Sequence, residues 1–392
     1  MTEETSSKRY YFDHASTSPL RPEAVTALEA WATSGPFGDP SRVHYNGFEV
    51  RAKIETAREA VASLTGVRSR QVIFTSGGTE AISQATFGAL AKNPGGSIVA
   101  AGVEHSAVRH AAINFGELFN SRLVEAIVDE NGRIEPESVR EAIVMEKKSG
   151  RSVALVNCQW ANHEVGTLQD IETIASICNS HQVPLHVDAV SAIGYIPIDL
   201  KEIGIDAVSI SAHKMGGPPG IGALILGRSS RFPSLIRGGD QERARRAGME
   251  NVPGIISFGA VAQVLSSPGW IEAQGQQHRR QTEEIISSLT SDKSVIFYGD
   301  RKNRVPHIAC FGIEGVEAEP ILLGLDKFGI SCHSGSACSS ETLEPSPVLD
   351  AMGVEPDHSL RLSVGWSTTD ADIKVLLDTF PVVLKRLREL VS

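Results

Sequence analysis

The sequence is poor in cysteine and has no excess of positive charge. Five cysteines, an odd number, occur among 392 residues; this is not the pattern of a disulfide framework and favours a reducing, cytoplasmic location. Lysine and arginine number 37 against 47 aspartates and glutamates, so the net charge is −10. We therefore expect no direct nucleic-acid partner, because phosphate binding requires basic surface.

Long apolar runs and metal-binding spacings are also missing. No segment reaches the roughly 18 consecutive apolar residues of a membrane span. The first residues, MTEETSSKRYYFD, have neither the apolar core of a signal peptide nor the arginine-rich pattern of a transit peptide. A CxxC pair and an HExxH motif are both absent, which argues against a metal site. The expectation is a cytoplasmic protein without a membrane segment or a metal.

Strand and helix patterns alternate between about residues 48 and 227. Short apolar strands are predicted at 71–76, 96–102, 152–160, 184–190, 206–212 and 222–227. Near-continuous apolar strands separated by helices are typical of a mostly parallel sheet that is covered on both faces. After residue 251 one long helix over about 255–290, strands of mixed order and a final helix indicate a smaller α+β domain. We predict a large domain over 19–260 and a small domain over 1–18 and 261–392.

The stretch SAHKMGGPPGIGAL places Lys214 between the end of a β-branched strand and a glycine-proline turn. A lysine at a strand exit is most often a solvated surface residue. The alternative is a Schiff-base lysine, which needs a reachable amine whose pKa is lowered by its surroundings.

Three further features favour the second interpretation. FTSGGTEA combines a strand, a glycine pair and a helix start, so that Gly78 and Thr79 would offer an anion site. Asp188 ends a buried strand and needs a partner, such as a pyridinium nitrogen. His105 lies at a strand-to-helix turn, where open α/β sheets present ligand-binding residues. With Lys214, these are the groups that pyridoxal phosphate requires.

The loop GISCHSGSACSSETLEP holds two of the five cysteines, Cys332 and Cys338. Small polar residues surround Cys338 and offer it no core, although cysteine is usually a buried small hydrophobe. Cys332 follows an apolar strand pattern and is expected to be packed or shielded. Cys158, Cys178 and Cys310 lie in apolar patterns and are predicted to be core residues.

Four motifs resemble those of a known family: HVDAVSAIG, SAHKMGGPPGIGAL, QERARRAGMENVPGI and SGSACSS. Together they look like the cysteine desulfurases of the class V aminotransferase superfamily, in the long-loop group. The resemblance implies fold type I of the pyridoxal phosphate enzymes, with a mostly parallel seven-stranded sheet in the large domain and a smaller α+β domain. It also implies a homodimer, L-cysteine as substrate, and a sulfur-acceptor protein as partner, in iron–sulfur cluster assembly or tRNA thiolation.

The same resemblance implies roles for individual residues. Lys214 would bind the cofactor as a Schiff base and move protons, and Cys338 would take the substrate sulfur as a persulfide. Arg361 would bind the substrate carboxylate. His105 would be a third catalytic residue, which stacks on the cofactor ring and assists proton transfer. The remaining cofactor-binding residues would be Asp188 on the ring nitrogen, Ser191 and His163 at the phenolate edge, and Gly78, Thr79, Ser211 and His213 at the phosphate. His163 would also contact the substrate.

Three positions depart from the family pattern. Ser191 stands where a glutamine is usual, His163 where an asparagine is usual, and Met249 where a threonine usually reaches the phosphate across the dimer. We hypothesise that His163 donates a hydrogen bond to the phenolate in place of the missing glutamine; a His163→Ala variant with an unchanged absorbance band and pKa would contradict this. Loss of one phosphate contact at Met249 would weaken cofactor binding about fivefold.

Two other functions fit the same residues. A lyase or aminotransferase of this superfamily acting on another substrate, such as selenocysteine, would keep full activity as a Cys338→Ser variant. A non-catalytic scaffold for sulfur-acceptor proteins would show no yellow cofactor absorbance. The sequence does not identify the sulfur acceptor.

Overall fold

The computed structural model describes residues 8–201, 203–227, 230–334 and 345–391. Its strands, in chain order, are β1 Tyr10–Tyr11, β2 Val72–Thr75, β3 Ser97–Ala101, β4 Leu123–Ala126, β5 Val153–Gln159, β6 Leu185–Asp188, β7 Ala207–Ser211, β8 Gly222–Leu226, β9 Val295–Tyr298, β10 Ile308–Ile313, β11 Ile330–Ser331 and β12 Ser359–Ser363. Its α-helices are α1 Pro22–Ser34, α2 Tyr45–Leu64, α3 Gly78–Lys92, α4 Ser106–Phe119, α5 Pro136–Lys148, α6 Ile171–His181, α7 Gln241–Ala244, α8 Val252–Leu265, α9 Trp270–Leu289, α10 Ala318–Asp326, α11 Pro347–Ala351 and α12 Asp370–Val391. Short 3-10 turns cover Ser69–Gln71 and Ala212–Lys214.

The central layer is a seven-stranded sheet in the order β2-β8-β7-β6-β5-β3-β4. Strand β8 runs antiparallel to both of its neighbours, and the other pairs are parallel. Every residue of β3 and β5 to β8 is buried, whereas β4 at the edge is partly exposed. Burial on both faces explains the unbroken apolar runs in the sequence. The prediction of a mostly parallel seven-stranded sheet is confirmed.

A second core lies around a three-stranded antiparallel sheet of the order β12-β10-β9. Its buried residues include Phe311 on β10, Leu362 on β12 and Leu376 on α12. Phe12 belongs to the same core, and the adjacent β1 pairs with β11. The N-terminal strand thus packs on the C-terminal part of the chain, while the domain boundaries at 19–260 and at 1–18 with 261–392 stay a prediction.

The prediction of a single helix over about 255–290 is wrong. Two helices, α8 and α9, meet there at an angle of 81°. Between them, Pro268 lacks the backbone N–H that a continuing helix needs, and Gly269 has a left-handed φ of 76°. Within the described ranges no single helix is long and apolar enough to cross a membrane. Helices α8 and α9 reach the required length and apolar composition only when they are taken together, and they are bent by 81°.

Candidate active site

A cavity of about 150 Å³ lies where β5, β6 and β7 end and where α3 and α4 begin. Strand ends of an open α/β sheet commonly form such ligand sites. Its walls include all nine residues predicted to bind the cofactor: Gly78, Thr79, His105, His163, Asp188, Ser191, Ser211, His213 and Lys214. A larger cleft of about 430 Å³ around Asp206 contains none of them.

Lys214 ends the short turn that follows β7, and its side chain is half-buried. Its Nζ donates a hydrogen bond to the backbone oxygen of Ala15 at 2.6 Å. The hydroxyl of Tyr195 donates to the backbone oxygen of Lys214 at 3.0 Å. At Gly216, φ is 91° and a Cβ would lie 2.5 Å from Arg21, so the turn after the lysine requires glycine. Lys214 is therefore a fixed residue of the cavity wall.

Asp188 is the last residue of β6, and only 7% of it is exposed. One carboxylate oxygen accepts the backbone N–H of Val190 at 2.9 Å. Burial raises the pKa of Asp188 to about 6, against the opposing effects of this hydrogen bond and of Lys214. A buried carboxylate that faces a cavity is suited to a cationic ligand atom.

The N-terminus of α3 forms the other end of the cavity. A Cβ at Gly78 would lie 2.6 Å from Cγ2 of Val190, so only glycine lets the helix start this close to the wall. Ser211 lies beside it, since its Cβ is 3.7 Å from the same position. The 15-residue helix directs backbone N–H groups and its positive dipole end here, which favours an anion such as a phosphate.

Two histidines pack edge to face in the cavity wall, with ring centroids 5.0 Å apart. His105 caps α4, and its Nδ1 accepts the N–H of Ala107 at 3.1 Å. Burial, and then the nearby Lys214 and Arg361 charges, lower the pKa of His105 to about 4. Burial and the neighbouring His105 hold the pKa of His163 well below its ordinary 6.5. Both rings are therefore neutral near pH 7.

Arg361 projects from β12 and is buried behind His163, although it is not one of the residues that line the cavity. Its guanidinium donates to the backbone oxygen of His163 at 2.9 Å, to Asp13 at 3.0 Å and to Ser16 at 2.6 Å. The sequence did not indicate Asp13 and Ser16 as partners of this arginine, because they lie almost 350 positions away. Both terminal nitrogens of the guanidinium are thus bonded within the protein, and the substrate-binding role of Arg361 stays a prediction.

Two buried glutamates beside the cavity were missed by sequence reasoning. Burial raises the pKa of Glu104 to about 8, and its Oε1 accepts the N–H of Gln159. Burial raises the pKa of Glu164 to about 7, and its Oε2 accepts the hydroxyl of Ser346 at 2.5 Å. Each directly adjoins a predicted histidine in the chain, and that adjacency was the available signal.

The cysteines separate into two groups. Cys158, Cys178 and Cys310 are buried, as predicted. Cys332 is partly buried, and burial together with Asp13 raises its pKa to about 12. Cys338 lies outside the described residues, so its role as the acceptor of the substrate sulfur stays a prediction. Across the described ranges, no group of three or more His, Cys, Asp or Glu side chains is arranged to hold a metal.

Of the three residues that depart from the family pattern, two lie in the same cavity and the third lies at a different cleft. Ser191 and His163 both line the Lys214 cavity. Met249 is 63% exposed and borders a separate cleft with Glu242 and Arg246. The proposed compensation of Ser191 by His163 and the weakened phosphate contact at Met249 stay predictions.

Comparison with known proteins decides the family. The profile described as "Aminotransferase class-V" matches residues 10–376. This chain belongs to the class-V aminotransferase family. One relative, "Cysteine desulfurase IscS" of Dictyoglomus turgidum, is 36% identical to this chain. The alignment covers 97% of this chain and 96% of the relative's chain. "Putative cysteine desulfurase IscS 1" of Bacillus subtilis is 38% identical over 97% of this chain and 100% of its own.

Solved structures of the family have the same fold. A "NifS-like protein" superposes with a TM-score of 0.85 at 25% identity and covers 98% of this chain and 100% of its own. The structure described as "SspA in complex with cysteine" superposes with a TM-score of 0.78 at 28% identity, over 91% of this chain and 98% of its own. These similarities confirm the expected α/β fold of the pyridoxal phosphate enzymes and the resemblance to cysteine desulfurases.

Proposed function

We propose that this protein is a pyridoxal phosphate-dependent cysteine desulfurase, which converts L-cysteine to L-alanine and a protein-bound persulfide. One observation carries the proposal. Lys214, Asp188 and the N-terminus of α3 meet in one cavity, in a chain that is 36% and 38% identical over nearly its full length to relatives named cysteine desulfurases.

The residues of the cavity fit the proposed cofactor at three points. Gly78 and Thr79 line the cavity at the N-terminus of α3, where backbone N–H groups can bind a phosphate. Asp188 is buried, faces the cavity and can hold a proton on a ring nitrogen. Lys214 supplies the primary amine. When bound, pyridoxal phosphate withdraws electrons from the Cα of an amino acid attached to it.

The chain's own residues then bind the substrate and move its atoms. Arg361 would bind the substrate carboxylate through the guanidinium that now donates to Asp13 and Ser16. Lys214 would carry a proton between the substrate carbons. The thiolate of Cys338 would attack the substrate sulfur: the carbon–sulfur bond breaks, a sulfur–sulfur bond forms, and the carbon that loses sulfur takes a proton to give alanine.

The partners follow from the persulfide. A sulfur atom on Cys338 has to be passed on, so we infer a sulfur-acceptor protein, in iron–sulfur cluster assembly or tRNA thiolation, and a cytoplasmic location. Transfer of a labelled sulfur from Cys338 to a candidate acceptor would test this inference, and a persulfide that no acceptor removes would contradict it.

We also infer a homodimer. Several large apolar side chains near the start of α2 are exposed: Phe37 by 65%, Val43 by 99%, Tyr45 by 74% and Phe48 by 56%. Several exposed large apolar side chains within a dozen residues are typical of an interaction site. Light scattering should give twice the mass of the 42.0 kDa chain; a fully active monomer would contradict the inference.

The activity can be tested directly. Purified protein supplied with pyridoxal phosphate, L-cysteine and a thiol reductant should release sulfide and alanine in equal amounts. Lys214→Ala and Cys338→Ser should each lower sulfide release by about 100-fold or more. Full activity of Cys338→Ser would favour the other lyase or aminotransferase, and the absence of yellow absorbance would favour the scaffold.

A further inference from the structure

The turn that carries Lys214 is held by hydrogen bonds to two consecutive backbone oxygens. The backbone oxygen of His213 accepts the N–H of Ser18 at 2.8 Å. The next one, that of Lys214 itself, accepts the hydroxyl of Tyr195 at 3.0 Å. A side chain extends from its own backbone, so the donor at this oxygen affects where the lysine amine lies.

The hydroxyl of Tyr195 has a defined orientation in a buried environment. Tyr195 is buried, and a carbonyl oxygen can only accept, so the hydroxyl hydrogen points at the backbone of Lys214. The hydroxyl of Ser18 lies 3.4 Å from the phenol oxygen and can donate to it. Burial raises the pKa of Tyr195 above its ordinary value of 10, so the phenol keeps its hydrogen near neutral pH.

The phenol ring of Tyr195 is held by two buried imidazoles. It stacks on His307, with ring centroids 3.4 Å apart and an angle of 8° between the planes. The ring of His278 on α9 lies 5.8 Å away. Burial lowers the pKa of His278 to about 4 and holds that of His307 well below 6.5, so both rings are neutral near pH 7. His307 directly precedes β10, so the stack links the segment between β6 and β7 to the antiparallel sheet.

The backbone beside Tyr195 packs directly on the turn that follows Lys214. At Gly194, φ is 81° and a Cβ would lie 2.8 Å from the Cβ of Met215, so the close approach of the two segments requires glycine. The N–H of Tyr195 donates to the backbone oxygen of Ala192 at 3.1 Å. The backbone contacts and the stack with His307 together fix the place of the hydroxyl.

We propose that Tyr195 is a positioning residue for Lys214, whose hydroxyl holds the lysine backbone so that the amine stays ready to bond to the cofactor. The inference rests on the proposed function, because that function makes Lys214 the residue that bonds to pyridoxal phosphate. The amine nitrogen bonds to the aldehyde carbon, and the aldehyde oxygen leaves as water with the two hydrogens of the amine. A lysine that is already held loses less freedom when this bond forms. Tyr195 is not one of the residues that line the cavity, so it acts through Lys214.

The test compares the binding of two ligands to Tyr195→Phe. Pyridoxal phosphate can bond to Lys214, whereas pyridoxamine phosphate has the same ring and phosphate but an amine in place of the aldehyde, and cannot. Phenylalanine keeps the ring that stacks on His307 and lacks only the hydroxyl. The dissociation constants of both ligands for the cofactor-free chain are measured by fluorescence titration, and the formation of the lysine-bound cofactor by absorbance. The control is Tyr298→Phe, at a partly buried tyrosine of β9.

In Tyr195→Phe the dissociation constant of pyridoxal phosphate should rise about fivefold, the effect of one neutral hydrogen bond. The lysine-bound absorbance should also appear more slowly than in the wild type. The dissociation constant of pyridoxamine phosphate should not change, and Tyr298→Phe should match the wild type with both ligands. An equal loss of affinity for the two ligands would show that Tyr195 merely supports the cavity and would overturn the inference, as would unchanged binding of both.

A second comparison removes the amine on which Tyr195 acts. In a Lys214→Ala background, the further change Tyr195→Phe should leave the affinity for pyridoxal phosphate unaltered, because the two residues act through one bond. A loss as large as in the presence of the lysine would overturn the inference. None of these titrations uses L-cysteine. A protein that shows the expected difference between the ligands but releases no sulfide from L-cysteine would contradict the proposed function and leave the role of Tyr195 intact.

Discussion

A carboxylate buried at the end of a strand is destabilising unless a cationic group comes to it. Asp188 is such a carboxylate. It accepts the backbone N–H of Val190 and has lone pairs for further hydrogen bonds. The same environment holds nearby imidazoles neutral, because burial lowers the pKa of His105 and His163. A cationic ligand atom beside Asp188 would therefore find a buried acceptor, and the neutral imidazoles would not repel it.

The exchange of Asp188 for asparagine should weaken cofactor binding. Asparagine keeps the shape but cannot pair with a protonated ring nitrogen, and a hydrogen bond to a charged group contributes about 1.5–3 kcal/mol. The dissociation constant of pyridoxal phosphate should therefore rise about 10- to 100-fold, as measured by a fluorescence titration. Asp199→Asn, at an exposed position, is the control, and equal affinities in the two variants would contradict the prediction.

A strained segment of the chain is held by one buried ion pair. In α7, Glu242, Arg243 and Ala244 have positive φ values of 49°, 60° and 60°, which non-glycine residues rarely adopt. Both carboxylate oxygens of Glu242 accept from Arg58 on α2, at 2.6 and 2.8 Å, and one also accepts the N–H of Phe74. These bonds position the segment between β8 and α8.

The replacement Arg58→Met should therefore lower the free energy of unfolding. It leaves the buried Glu242 without its cation, and removal of one partner of a buried pair destabilises a protein by about 3–5 kcal/mol. We expect a loss of that size in the free energy of unfolding by urea, and faster amide exchange over residues 241–244. Arg243→Met removes an exposed pair with Glu55 and should cost about 1 kcal/mol or less; similar losses in both variants would refute the proposed role.

For the molecule as a whole, buried histidines and buried acids have opposite effects on stability. Burial lowers the pKa of a set of histidines: His14, His105, His163, His186, His213, His278 and His307. The unfolded chain binds protons at these positions below about pH 6.5 and the folded chain does not, so their stabilisation is present above pH 6.5 and is lost as the pH falls. Glu104 and Glu164 have raised pKa values of about 8 and 7, so their contribution is lost as the pH rises.

The cofactor-free protein should accordingly be most stable near pH 6.5. We expect the free energy of unfolding to drop by about 3 kcal/mol or more between pH 6.5 and 4.5, and to decline more gently between pH 7 and 8. Urea unfolding at each pH measures this. Glu104→Gln removes one raised pKa and should flatten the decline above pH 7; stability that rises steadily from pH 7 to 8 would show that the acids are ionised when folded.

Most of the fold could be predicted because its signals are local. Unbroken apolar strands, the glycine pair before α3 and the small polar residues around Cys338 each lie within about ten positions of sequence. The prediction of one helix over 255–290 was wrong at Pro268 and Gly269. These two residues interrupt helices, but the apolar pattern on either side of them suggested that one helix continues.

The sequence by itself determined the sheet and the family motifs, and the resemblance carried by those motifs implied the residues that meet at Lys214. They meet there because the carboxyl ends of neighbouring parallel strands lie at one edge of a sheet. Only the tertiary structure decided which atoms of those residues are available. The capping of α4 by His105, the carboxyl group of Glu164 near His163, and the contact of Arg361 with Asp13 depend on distances between segments far apart in the chain. Hydrogen bonds act over about 3 Å, so the order of residues along the chain does not reveal which ones form.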